Sequence, residues 1–262
     1  MILTVVTINY NNAAGLRRTI ASVANQTFSD FEYVVVDGCS TDGSVAIVEE
    51  NRLNIDQLIV ESDTGIYQAM NKGISLSQGE YILFLNSGDE FASEHLLEHI
   101  HGYLKGNDII YGDVIWRDGL VTCYPFSLQF SFLKKRSLPH QGSFIRKSLF
   151  NTCGYYDETL LITSDWKFFL LSICKFNSTY SKIPFVISKM EPGGISDSKI
   201  RNTSSIIFKE KAKVLSENFP AFLVDYDQYS NRLKGFRFFN LKFWRRYFSP
   251  YRKSTAVSEY DW

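Results

Sequence analysis

An α/β fold built on a single, mostly parallel mixed sheet flanked by helices is what the sequence predicts, and three observations carry the prediction. The first half alternates continuous apolar, β-branched runs with segments whose apolar residues recur at helical spacing. That is the pattern of buried parallel strands covered by helices. Each of those runs stops at a short polar loop carrying Asn or Asp. At 262 residues, with 45% apolar and 21% charged residues, the chain can bury a sizeable core and has an ordinary globular composition.

The elements follow in order. Residues 2–9 form a first strand that Asn11 and Asn12 end, and Leu16, Ile20, Val23 and Ala24 then recur on one helical face. A strand at 31–36 leads to a short helix at 44–51, a strand at 57–60 leads to a helix at 66–76, and a fourth strand ends at Leu85. Beyond residue 105 the pattern loosens. Residues 108–114, 143–146 and 180–188 read as strands, and 166–176 as a strongly apolar helix. From about 203 the chain reads as helical and then turns basic and aromatic. We therefore expect a main domain over 1–202 and a helical appendage over 203–262.

Composition excludes several function classes. Lys plus Arg and Asp plus Glu both number 28, so no global charge points to nucleic acid. Cys39, Cys123, Cys153 and Cys174 form neither a C-x-x-C pair nor a zinc spacing, and each lies in or beside an apolar run. Buried free thiols in a reducing compartment are expected. No run approaches the ~18–20 apolar residues that span a bilayer, and the first strand lacks the basic start of a signal peptide. A cytoplasmic location follows, which makes the sequons at Asn25, Asn177 and Asn202 chance matches. His95-Leu-Leu-Glu98-His99 matches the H-x-x-E-H peptidase signature, yet 93–104 reads as an amphipathic helix with Leu96, Leu97 and Ile100 inward. No Gly-rich phosphate loop follows the first strand, and G-x-G-x-x-G and the P-loop signature are absent from the chain, which disfavours dinucleotide oxidoreductases and NTPases.

Four polar loops end the four strands of the first half: Thr7-Ile-Asn-Tyr-Asn-Asn12, Asp37-Gly-Cys-Ser-Thr-Asp42-Gly43, Glu61-Ser-Asp63-Thr-Gly65 and Asn86-Ser-Gly-Asp89-Glu90. In an open α/β sheet, ligands bind beyond the carboxyl ends of the strands. Carboxylates placed there accept from a base N–H or ribose hydroxyls, and helix N-termini favour phosphate. A hard divalent cation takes oxygen ligands and bridges to phosphate. Asp89 is thus the first candidate metal ligand, in a site for a nucleoside diphosphate. Singly, Asp42 and Ser44 would be helix caps and Gly38 and Gly43 turn residues; four such loops on one edge read as a site. Lys72 either offsets diphosphate charge at this rim or is a solvated surface lysine.

The stretches VVTINYNN, VVDGCSTDGS, E-x-D-x-G-I-Y-x-A-M-N-K-G at 61–73 and GEYILFLNSGD together resemble family-2 glycosyltransferases. The resemblance continues through His140-Gln141-Gly-Ser-Phe144, Gly154-Tyr-Tyr-Asp157 and Ser164-Asp165-Trp166, over about residues 1–200. It is similar in particular to bacterial O-antigen and exopolysaccharide sugar transferases. The resemblance implies the nucleotide-sugar-binding GT-A fold and an inverting transfer from a nucleoside-diphosphate sugar, usually a UDP-sugar, with Mn2+ or Mg2+ as cofactor. It makes about 1–105 the nucleotide-binding half and about 106–202 the acceptor half. Tyr10 and Asp37 would contact the nucleobase, with Asp63 nearby. Where the family's metal motif commonly reads D-x-D with a further Asp, this chain has Asn86-Ser87-Gly88 and then Asp89. The usual metal position falls on Gly88, which has no side chain. Asp89 is expected to take over as ligand, with Asn86 supporting the ribose or diphosphate. Gly38 likewise stands where many relatives carry a second Asp, leaving the nucleobase mainly to Asp37.

Asp165 is the expected catalytic base. It precedes an apolar helix containing Trp166, and in the family this position carries the carboxylate that deprotonates the acceptor hydroxyl. The competing reading is an N-cap by Ser164 or Asp165. His140, Gln141 and Trp166 would sit near the acceptor or the leaving diphosphate, unless His140 is a hydrogen-bonded structural group. Residues 233–253 hold seven Lys or Arg and eight aromatics without an acid. Phe236, Phe239, Phe243 and Tyr247 recur near one helical face until Pro250, which suits an anionic membrane surface or a helix packed on the main domain. Because acceptors of similar enzymes are often lipid-linked oligosaccharides, the membrane surface is the expected partner. The chain would then be peripheral at the inner face of the cell membrane, moving a hexose or N-acetylhexosamine in surface polysaccharide synthesis. The rivals are a catalytically silent sugar-nucleotide-binding or assembly subunit, which Gly88 keeps open, and a nucleotidyltransferase.

Overall fold

The computed structural model describes residues 1–191 and 203–237. The chain divides into one compact unit over Met1–Ile206 and a second over Ile207–Trp262. Four parallel strands organise the first: β1 (Leu3–Asn9), β2 (Glu32–Asp37), β3 (Gln57–Val60) and β4 (Tyr81–Phe84), lying side by side in the order β3-β2-β1-β4. Every residue of β1, β2 and β4 is buried. Both faces of these strands are covered, so their sequences show no polar alternation. Helices α1 (Ala13–Ala24), α2 (Ser44–Glu50) and α3 (Ile66–Leu76) connect them. α1 begins where Asn12 Oδ1 accepts from Gly15 N at 3.1 Å, and it buries Leu16, Ile20 and Val23 on one face. Each such side chain removed from water stabilises by roughly 1.5–3 kcal/mol.

The same sheet continues from β4 through β8 (Ser143–Arg146), β6 (Ile109–Trp116), β9 (Tyr180–Met190) and β5 (Glu90–Phe91), with β7 (Val121–Thr122) beside β6. β8 is antiparallel to both β4 and β6, and β9 is parallel to β6. It follows that β1 to β4, β6 and β9 all turn their carboxyl ends to one edge. The sheet is parallel over its first four strands and mixed beyond them. Pro184 lies inside β9, and there the pairing slips: Lys182 faces Tyr111 while Val186 faces Asp113. Proline has no N–H to give a ladder, so a bulge at this point accommodates it. A side chain on Gly112 would strike Phe185 O, which keeps that position small.

Helices α4 (Leu96–Ile100), α5 (Phe130–Leu133), α6 (Lys147–Cys153) and α7 (Ser164–Cys174) complete the unit. Phe84, Phe150, Tyr156 and Phe168 form a contiguous group of rings, Phe150 stacking on Phe168 at 4.6 Å between centroids. Aromatic packing of this kind fixes the start of α7 against the sheet.

Several expectations need correction. The helix expected over 93–104 is α4 followed by a 3-10 turn at His101–Tyr103; Leu96, Leu97 and Ile100 are buried as expected, and His95 is half-exposed. α7 begins at Ser164, so Asp165 lies within its first turn instead of before it. The cysteines are free but none is fully buried: Cys39 and Cys123 are exposed, Cys153 and Cys174 intermediate. Cys39 occupies a left-handed turn position at φ 62 in the loop after β2, and Cys123 directly follows the short β7. The second unit holds most of α8 (Thr203–Asn218), whose first four residues belong to the first unit, and all of α9 (Pro220–Arg237). Among the described residues no helix is long and apolar enough to cross a membrane. From residue 238 onward the basic, aromatic segment lies outside the described residues.

Candidate active site

Backbone and side-chain hydrogen bonds knit the four loops together at the carboxyl edge. Gly38 N donates to Asn9 O and Asn11 N to Ser40 Oγ, both at 2.9 Å, joining the first loop to the second. Asn12 Nδ2 donates to Ser87 O at 3.0 Å, joining the first to the fourth across the point where strand order reverses. Asp42 Oδ1 accepts from the Ser44 hydroxyl and Oδ2 from Ala13 N at 2.7 Å. These bonds hold its carboxyl below the usual range, and Asp42 thereby ties the start of α1 to the start of α2.

Asp37 lies at the bottom of this edge with no exposed surface. Its Oδ2 accepts from Asn9 Nδ2 at 2.6 Å and Ser40 Oγ at 2.8 Å, and Oδ1 accepts from Ser40 N at 2.7 Å. Both oxygens are engaged in holding the loop. Tyr10, in contrast, is 66% exposed. A Cβ on Gly38 would lie 2.7 Å from Asp63 Oδ2 and 3.1 Å from Tyr10 Cδ2. The Asp63 carboxylate therefore fills the volume that a second acid at 38 would need, beside the Tyr10 ring. Lys72 stands apart from the other candidates: its Nζ bonds to Ser62 O at 2.9 Å and pairs with Glu61 at 3.2 Å.

In the fourth loop, Asp89 N donates to Asn86 O at 2.9 Å to close a turn whose third residue, Gly88, has φ +105. A type II turn reserves that position for glycine. Thr19 Oγ1 accepts from Gly88 N at 2.9 Å and donates to Asp89 O at 2.7 Å, clamping the turn to α1. Asp89 is 6% exposed; Oδ1 accepts from Glu191 N at 2.9 Å and Oδ2 from Gln141 Nε2 at 3.0 Å. Burial drives its carboxyl above the usual range, against the pull of those bonds. A side chain on Gly88 would strike Glu191 Oε2. That oxygen accepts from Arg18 Nη2 at 2.5 Å. Arg117 Nη2 donates to Gly88 O at 3.3 Å and to Glu90 Oε1.

Asp165 lies across from this turn, its side chain 21% exposed. Tyr67 OH, in the first turn of α3, reaches Asp165 Oδ1 at 3.2 Å and Ile162 O at 2.5 Å. Burial, and then the Asp165 charge, push the Tyr67 hydroxyl far above its usual pKa, so it remains a donor. His140 Nδ1 is 3.6 Å from Asp165 Oδ2, and its Nε2 is 3.0 Å from Asn86 Nδ2. The imidazole thus bridges Asn86 and Asp165, and its tautomer sets which ring nitrogen donates. Neither Ser164 nor Asp165 caps α7. The N-cap is Thr163, with no side-chain capping bond, and Ser164 Oγ instead accepts from Asp157 N at 2.5 Å. Trp166 is buried, its Nε1 donating to Leu133 O at 2.6 Å.

The sequence model described as Glycosyl transferase family 2 matches residues 4–162, more than half of the chain. The chain belongs to that family. A PGL/p-HBAD biosynthesis glycosyltransferase of Mycobacterium bovis is 36% identical to it over 167 residues, 60% of this chain and 64% of that relative's length. An uncharacterized glycosyltransferase of Mycobacterium tuberculosis is 30% identical over 199 residues, 68% of this chain and 75% of that one. Among solved structures, S. aureus TarS in complex with UDP-GlcNAc is similar at a TM-score of 0.64 and 21% identity, over 94% of this chain and 78% of that chain. The mannosyltransferase PcManGT from Pyrobaculum calidifontis, in complex with GDP-Man and Mn2+, is similar at 0.58 and 17% identity, over 72% and 56%. The fold is thus the GT-A fold of this family.

Family-2 membership implies a divalent cation near position 88, and the donors around that position do not fit one. Gly88 offers no ligand, both Asp89 oxygens accept protein N–H groups, and Glu191 and Glu90 are paired with Arg18 and Arg117. Among the described residues, no three His, Cys, Asp or Glu side chains come together to hold a metal ion. A family-2 reading by motif also passes over Tyr67, Arg18, Arg117 and Glu191. Tyr67 sits inside the quoted 61–73 stretch. Arg117 and Glu191 directly follow β6 and β9, whose carboxyl ends share the edge with Asp89. The strand-end rule that singles out Asp89 would have found both, had the directions of those strands been known.

Proposed function

We propose that this chain is an inverting glycosyltransferase that moves a hexose or N-acetylhexosamine from a nucleoside-diphosphate sugar to a hydroxyl of a saccharide acceptor. One observation carries the reading. Asp165 is not used as a helix cap; its carboxylate is oriented by Tyr67 and faces His140, which reaches Asn86 of the fourth loop. Family membership and the UDP-GlcNAc complex of TarS support a nucleotide sugar, and UDP as its nucleotide.

In this reading the sugar nucleotide enters the crevice between β1 and β4. Tyr10 and Asp63 meet the nucleobase and ribose, while Asp37, with both oxygens engaged, holds the loop that shapes that pocket. Asn86 lies toward the diphosphate. Asp165 takes the proton from the acceptor hydroxyl, whose oxygen forms the new bond to the anomeric carbon. The bond to the diphosphate breaks on the opposite face, and the nucleoside diphosphate leaves with the electron pair, inverting the centre in one displacement. Tyr67 keeps the base oriented, and His140 with Gln141 lines the passage between base and diphosphate.

A lipid-linked acceptor at a membrane surface rests on the basic, aromatic pattern of 233–253 and on the biosynthetic name of the mycobacterial relative. The test is release of nucleoside diphosphate across UDP-, GDP- and dTDP-sugars with a membrane extract as acceptor source. Release from one donor, dependent on the extract, is expected. Tight donor binding without turnover under any acceptor would favour the silent binding subunit.

A further inference from the structure

The turn at Gly88 is surrounded by charge that a divalent cation would have to displace. Two guanidinium groups approach it from separate elements, Arg18 from α1 and Arg117 from the end of β6. Arg117 donates to the carbonyl of Gly88 itself at 3.3 Å, and Arg18 Nη2 holds Glu191 Oε2 at 2.5 Å. Glu191 Oε2 lies in the volume that a side chain on residue 88 would enter. Its other oxygen is 3.8 Å from Arg117 Nε, and Glu90 Oε1 is 3.9 Å from Arg18 Nε. Those separations are too long for hydrogen bonds, and both Nε groups are buried without a hydrogen-bond acceptor among the described residues. Glu191, bonded to Arg18, and Glu90, bonded to Arg117, are therefore two carboxylates that satisfy the pair of arginines incompletely, and Glu191 is the one that stands over Gly88. Both arginine side chains also reach solvent, at 35% and 29% exposure.

Arginine is suited to such a place. Its planar fork of donors matches phosphate oxygens and carries a charge that does not titrate. Resting on the transferase reading above, we propose that Arg18 and Arg117 bind the donor's diphosphate in place of the divalent cation, and that Glu191 is the internal anion the diphosphate displaces. The turn suits this arrangement. At φ +105 residue 88 favours glycine over an aspartate ligand, and Asp89 serves to anchor Glu191 through its backbone N–H. The chain's diphosphate countercharge is then covalently built in.

The experiment is calorimetric titration of the full chain with UDP, GDP and dTDP, after exhaustive EDTA treatment and again with Mn2+. One nucleotide is expected to bind in EDTA with an affinity that Mn2+ leaves unchanged within about threefold, a difference under 1 kcal/mol. Arg18→Ala and Arg117→Ala, checked for native circular dichroism, should each weaken that binding about tenfold or more, the loss expected for a hydrogen bond to a charged group. Arg18→Lys, which keeps the charge, should recover part of it. Glu191→Gln should bind the nucleotide in EDTA at least as tightly as the parent, because it removes the competing anion. Binding that requires Mn2+ and is lost in Glu191→Gln would overturn the arginine clamp and make Glu191 a metal ligand, and Glu191→Gln losing affinity in EDTA would overturn the displacement of Glu191; either leaves the transferase reading intact. If none of the nucleotides binds under either condition, the transferase reading itself fails and takes this proposal with it.

Discussion

At Gly38 and Gly88 the rim has no side chain, and at each a carboxylate from a distant loop stands in the volume, Asp63 at one and Glu191 at the other. Motif comparison reads both positions as missing acids, whereas in three dimensions the negative charge has moved to another part of the chain. Gly88 also has φ +105, so Gly88→Ala should destabilise by about 1–3 kcal/mol through backbone strain and by collision with Glu191. Urea denaturation should show that adding Glu191→Ala recovers only the collision. Equal stability of Gly88→Ala and parent would mean that the turn is not held as described. In the proposed reaction Tyr67 acts through Asp165, to which its hydroxyl bonds at 3.2 Å. Tyr67→Phe should lower kcat about tenfold, the scale of a hydrogen bond to a charged group, and leave donor affinity unchanged. A matching loss in donor affinity would place Tyr67 in the nucleotide pocket instead. Asp165, Asp89 and Asp37 could be picked out in the sequence because each follows or begins a strongly patterned element. Their environments could not: that Asp37 and Asp89 are engaged by protein donors depends on Ser40, Gln141 and Glu191, the last more than a hundred residues away from Asp89.

Among the elements, β1, α1, α3 and α7 are readable from pattern because each is long enough to show a period or an unbroken apolar run. β5, β7, α5 and α6 span two to seven residues, and, unlike the equally short β3 and α2, they are not framed by a regular alternation of strand and helix. The start of α7 matters most for the site, and Asp157 braces it. Burial would raise the Asp157 carboxyl, but bonds from Lys167 and Thr159 outweigh it and bring the pKa down to about 2, from 3.8. The folded value lies below the unfolded one, so this contribution to stability is complete above about pH 3.8 and is lost as pH falls toward about 2. Asp157→Asn should therefore unfold at lower urea than the parent at neutral pH, and the gap should close at about pH 2. A gap that persists at the acid end would assign the effect to packing or to Ser164, whose hydroxyl accepts from Asp157 N.

For the whole molecule, the parallel half was legible because β-strand and helix alternate there, and the family resemblance extends over the site. In the second half the strands at 108–114, 143–146 and 180–188 were legible but their order and direction were not, because direction is set by partners: β8 runs antiparallel to both β4 and β6, and only this returns the ends of β6 and β9 to the edge that carries Asp89. The site is therefore assembled from both halves of the Met1–Ile206 unit, and the proposed chemistry depends on Asp165 meeting the rim loops. The most direct test compares the parent with Asp165→Asn on a donor the parent uses, measuring donor affinity by titration and sugar transfer by single turnover. The account predicts donor affinity within about threefold of the parent, with transfer reduced by ~10²–10⁴-fold, the contribution of a positioned general base. Transfer by Asp165→Asn at the parent's rate would contradict it.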